Sequence, residues 1–126
     1  MELEGRKLKP CPDTPNCVNS QATCNRHFIE PIHIIATPSE AKNCILSSLN
    51  AFKTSHKVVV IEDNYIRAEF ISKVFHFVDD VEFYFPNTNS ESLFIHVRSC
   101  SRVGYFDFGV NRKRIEATRS GIEQMK

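Results

Sequence analysis

Tryptophan is absent from this 126-residue chain, methionine occurs twice and glycine only four times. So few glycines leave no glycine-rich phosphate loop, and the isolated Gly104 and Gly109 read as suppliers of unusual backbone angles. No apolar run approaches the ~20 residues that a membrane-spanning helix requires, so no membrane span is expected. Charge of one sign is missing too: the formal net charge is +1. That balance gives no general reason to expect a nucleic-acid partner, because phosphate binding usually marks a strongly basic domain. The first ten residues carry Glu2, Glu4, Arg6, Lys7 and Lys9 and no apolar stretch, unlike a secretory leader. With Met1 as the native start, the expected compartment is the cytoplasm.

Catalytic spacing is equally scarce. There is no Gly-x-Ser-x-Gly elbow and no paired His-Glu motif. His96 and Cys100 stand four apart on one strand, ~13 Å at ~3.3 Å per residue, too far to act as nucleophile and base. Cys11, Cys17, Cys24, His27 and His33 include no Cys-x-x-Cys knuckle and do not have the spacing of a tetrahedral zinc site. The sequence therefore assigns no catalytic residue, no metal and no cofactor. Cys11 and Cys17 stay open between two readings: a disulfide, feasible in an oxidising setting, or free thiols in a reducing one.

What is present is ordinary globular material: 41% hydrophobic and 25% charged residues, with ten phenylalanines. One domain is expected over residues 11–126, with residues 1–10 as a disordered or loosely docked tail. Residues 11–33 read as irregular, punctuated by Pro12, Pro15, Asn16, Asn19, Asn25 and Pro31. Thr37-Pro38-Ser39-Glu40 is a capping box with proline at the first helical position, predicting a helix to about Lys53. Four strand patterns follow, over Lys57–Glu62, Tyr65–Val74, Val78–Phe85 and Leu93–Ser101. Ile66, Ala68 and Phe70 alternate with Arg67 and Glu69, which implies one buried and one wet face. A last helix is expected from Asn111 as N-cap. The fold class is α+β: a four-stranded, mainly antiparallel sheet with two helices on one face, in the order αββββα, after an irregular N-terminal segment. Phe70, Val81, Phe83, Ile95 and Val97 should meet Ile45, Leu49 and Phe52 in the core.

Charge is unevenly placed along the chain. Glu62, Asp63, Glu69, Asp79, Asp80, Glu82 and Glu91 face only Arg67 and Lys73 in their stretch. Arg98, Arg102, Arg112, Lys113 and Arg114 face only Asp107. Neighbouring strands of opposite charge gain from cross-strand pairing. The wet face should carry Arg67, Glu69, Asp80, Glu82, His96 and Arg98. The candidate binding residues are Arg98, Ser99, Ser101, Arg102, Asp107, Asn111 and Arg112, with Asp79, Asp80 and Glu82. A competing account makes them struts, with Asp107 and Asp79 or Asp80 paired to Arg102 and Arg112.

Two stretches carry a resemblance: Cys11-Pro12-Asp13-Thr14-Pro15-Asn16-Cys17-Val18-Asn19-Ser20, and Ser101-Arg102-Val103-Gly104 running on to Asn111-Arg112-Lys113-Arg114. With Asp79-Asp80-Val81-Glu82-Phe83 between them, the chain resembles domain-of-unknown-function family 1499 over residues 10–124. Many members of that family are exported or lipid-anchored. The resemblance implies no activity. The leading expectation is a non-enzymatic binding or accessory module for a polar or anionic ligand or a protein partner, using the charged sheet face and the strand-to-helix loop. The alternatives are an enzyme of unrecognised type, with Asp79, Asp80 or Glu82 beside Arg98 or Arg102, and a structural subunit pairing through an edge strand.

Overall fold

The computed structural model of the chain describes residues 7–86, 88, 90–104 and 107–125. The first helix, α1 (Pro38–Asn50), starts where the capping box places it. The Glu40 N–H donates to Thr37 Oγ1 at 3.2 Å, and the Thr37 N–H donates back to Glu40 Oε1 at 3.0 Å. The helix stops at Asn50, short of the expected Lys53.

Among the described residues the sheet is antiparallel and has six strands rather than four. β3 (His56–Glu62), β4 (Tyr65–Ile71), β5 (Val78–Tyr84) and β6 (Ser92–Ser101) form the expected meander. The two additional strands, β1 (Cys17–Asn19) and β2 (Ile32–Ile35), come from the segment read as irregular. Both pair with β6: Cys17 lies opposite Cys100 and Asn19 opposite Arg98, while Ile32 lies opposite Ile95 and Ile35 opposite Ser92. They are three and four residues long, too short to show a period among prolines and asparagines. β6, at ten residues, is long enough to hold both along one side.

The helix placement also needs correction: the two helices do not share one sheet face as a matched pair. The second helix, α2 (Val110–Glu123), lies against β6 and β1, whereas α1 packs chiefly on α2. Asn111 is not the N-cap of α2. Gly109 takes that position with φ of 77°, a left-handed angle that favours glycine. Asp107 does the capping, accepting the Gly109 N–H at 2.8 Å and the Asn111 N–H at 3.1 Å.

Alternation along the strands sends Ile66, Ala68 and Phe70 of β4 inward with Val81 and Phe83 of β5 and Ile95 and Val97 of β6. Ala41, Ile45 and Leu49 of α1 and Ile115 and Ile122 of α2 complete this core, with Phe52 half-buried edge-on to Phe70. Among the described residues no helix is long and apolar enough to cross a membrane.

Candidate functional site

The opposite sheet face is built from the same strands read one residue out of phase. Register sets Arg67 against Glu82, Glu69 against Asp80, and Glu82 in turn against Arg98. Just beyond β6, Arg102 crosses this lattice: its Nε donates to Asp80 Oδ2 at 2.7 Å and its Nη2 to Glu69 Oε2 at 2.7 Å. Arg67 Nη1 also reaches Asp80, at 3.2 Å. The hydrogen bond from Arg102, and the charges of Arg102 and Arg67 beside it, hold the Asp80 carboxyl below its ordinary range. The same hydrogen bonds, accepted by Asp80 and Glu69, raise the pKa of Arg102. Glu82 is gripped by Tyr65, whose hydroxyl donates at 2.6 Å, and more loosely by Arg98 Nη1 at 3.3 Å.

Part of the expected tail covers this face. Residues 1–6 lie outside the described residues, but residues 7–12 cross the sheet as a strap. Leu8 is buried with Tyr65 and Tyr84, and Val60 packs against them. The Leu8 N–H donates to Gln21 Oε1 at 2.8 Å, and Asn19 Nδ2 donates to the Lys9 carbonyl at 3.0 Å. A Cys11–Cys17 disulfide ties the strap to β1. Between strap and sheet lies a cleft of about 600 Å³, lined by Lys9, Arg67, Arg98 and Arg102 with Asp80 and Glu82 as the carboxylates. The Arg98 side chain is only 8% exposed. Its Nη2 reaches the Pro10 carbonyl at a long 3.4 Å, and its Nε has no hydrogen-bond partner among the described residues.

Apart from Arg112, the remaining candidates are joined into one network through Asn111 and Arg114. Asn111, fully buried, accepts from Ser99 Oγ at 2.6 Å and Arg114 Nη1 at 2.9 Å. Its Nδ2 reaches Asp107 Oδ2 at 2.7 Å, Ser101 Oγ at 3.0 Å and the Asn16 carbonyl at 3.1 Å. Arg114 Nη2 pairs with Asp79 at 2.9 Å, and its guanidinium lies 4.7 Å from the Phe70 ring centre. Arg112 joins neither group; its Nη2 donates to the Arg26 carbonyl at 3.4 Å.

Ten candidates therefore divide by side. Asp80, Glu82, Arg98 and Arg102 share the cleft. Asp79, Ser99, Ser101, Asp107 and Asn111 form a strut centred on the buried Ser99 and Asn111, with Ser101 also at the cleft edge, and Arg112 stands apart. Of the expected strut pairs, Asp80 with Arg102 is present; Asp79 takes Arg114 instead, and Asp107 caps α2. Adjacent strand residues point to opposite faces, so the run from Arg98 to Ser101 was always split. Sequence reasoning missed Arg114 and Asn16 as members of the strut. The signal for Arg114 was available, because Asn111, Arg114, Ile115 and Thr118 share one helical face. Lys9 and Pro10, which close the cleft, carried no signal at all. A further pair went unread: Ser20 Oγ lies 2.9 Å from His96 Nδ1 and accepts the Val97 N–H at 2.8 Å. Burial pushes the His96 pKa down and so favours the neutral ring beside the Ser20 hydroxyl.

By fold the chain is an α+β domain with a single antiparallel sheet. It belongs to the family described as protein of unknown function (DUF1499), which matches residues 7–122, as the motifs implied. Among solved structures it is similar to TTHA0849 from Thermus thermophilus, at 13% identity over 73% of this chain and 90% of that one, with a TM-score of 0.36. A likeness that faint carries no argument. No curated protein matches the chain.

Proposed function

We propose that the chain is a non-enzymatic binding module that takes a small anionic ligand, such as a carboxylate or phosphate, in the cleft between the strap and the polar sheet face. The observation that carries this reading is Arg98, a buried guanidinium in the cleft wall with an unpaired Nε and two long hydrogen bonds. Buried polar groups in folded proteins nearly always find partners, and an orphan calls for a bound water, ion or ligand. Guanidinium favours planar, bidentate oxyanions. The wall offers four cations against two carboxylates, and with Glu69, which pairs with Arg102 and Arg67, counted as well, the cations are still in excess. The volume falls within the range of small-molecule sites.

The test is thermal unfolding of the purified chain with inorganic phosphate, sulfate, acetate and succinate. At least one probe is expected to raise the melting temperature saturably, and Arg98→Gln is expected to remove that response. A melting temperature unmoved by all four probes would overturn the proposal.

A further inference from the structure

We infer that Cys100 is the exchange partner of the Cys11–Cys17 disulfide and that this exchange unlatches the strap from the cleft. The functional consequence rests on the cleft being the binding site proposed above; the sulfur chemistry rests on strand register alone. The Ser101 N–H donates to the Asn16 carbonyl at 3.0 Å, and the Ser20 N–H to the Val97 carbonyl at 2.9 Å. These two bonds mark hydrogen-bonded positions of the β1–β6 ladder. Such positions alternate in an antiparallel pair, so Cys17 and Cys100 form a non-hydrogen-bonded pair. That is where opposite side chains come closest, with Cα atoms about 4.5 Å apart, inside the range a disulfide spans. Cys100 and Cys11 both line the cleft.

The step needs no outside oxidant or reductant. The Cys100 thiolate attacks Sγ of Cys17, the Cys17–Cys100 bond forms as the Cys11–Cys17 bond breaks, and Cys11 leaves as a thiolate. Cys11 then takes up the proton that Cys100 lost. The strap keeps its non-covalent contacts but loses its covalent tie, and the Pro10 carbonyl is free to leave Arg98. Burial, with Asp79 and Asp80 nearby, opposes ionisation of Cys100, while Arg98 and Lys9 favour it. The exchange is therefore slow at neutral pH and faster in mild alkali.

The experiment uses the full oxidised chain, held at neutral or mildly alkaline pH, acid-quenched and labelled with a maleimide. It is then digested without reduction and mapped by mass spectrometry. The expected result is a peptide joining Cys17 to Cys100, together with labelled Cys11, both increasing with pH. Cys100→Ser should lose the Cys11 label, and Cys24→Ser, which removes the exposed thiol, should keep it. Only the Cys11–Cys17 linkage at every pH overturns the inference, as does Cys11 release that survives Cys100→Ser or vanishes in Cys24→Ser. Mapping involves no anion, so it succeeds or fails separately from the ligand titration.

Discussion

Three arginines illustrate how burial decides what one side chain does. Arg114 is 8% exposed and satisfies Asp79, Ser99 and Asn111 at once. Removing it leaves a largely buried carboxylate without compensation, so Arg114→Ala should cost about 3–5 kcal/mol in urea unfolding. Arg102 makes shorter ion pairs, yet its side chain is 46% exposed and water screens them. Arg102→Ala should therefore keep a cooperative fold and lose less stability than Arg114→Ala; the opposite order would show the core-side network to be the weaker one. Arg98 is as buried as Arg114 but poorly satisfied, and that contrast singles it out as the functional candidate.

Among the elements, the helix pair holds the clearest test. Read as sequence, Gly121 is a weak point in α2, worse than Ala by roughly 1 kcal/mol. In the fold it is the point where α2 meets α1: a Cβ there would lie 2.7 Å from Ser48 Oγ, which donates to the Thr118 carbonyl at 3.1 Å. Gly121→Ala should thus fail to gain its helix-propensity benefit and should lower the melting temperature. Adding Ser48→Ala should restore part of the loss. A stabilised single variant would mean that the helices yield easily at this contact.

For the whole molecule, pH reports on the polar face. His96 is shifted down by burial, so the unfolded chain takes up that proton more readily than the folded one. Its contribution to stability is complete above the ordinary value of 6.5 and declines as pH falls below it. Asp80 is also shifted down, chiefly by Arg102, so its contribution is complete above 3.8 and is lost at lower pH. Melting temperature should then decline in two stages on acidification, and Arg102→Ala should shrink the second. An acid limb identical in the variant would show that the Arg102–Asp80 pair does not stabilise the fold.

Local chemistry made much of this legible in advance. The Thr37–Glu40 capping box, the alternation of Ile66, Ala68 and Phe70 with Arg67 and Glu69, and the inward set of Phe83, Ile95 and Val97 each depend on residues within a few positions of one another. The family resemblance came from ordered motifs in the same way. Distant pairings decided the rest. β1 and β2 exist because β6 offers an open side to two segments with no pattern of their own. Lys9 and Pro10 roof the cleft because Leu8 finds Tyr65 and Tyr84. Asn111 and Asp79 became struts, and Arg98 an orphan, through partners such as Asn16, Arg114 and Pro10 that lie far away in the chain. Periodicity records which face a residue takes; which distant backbone or charge meets it there is settled only when the chain closes on itself.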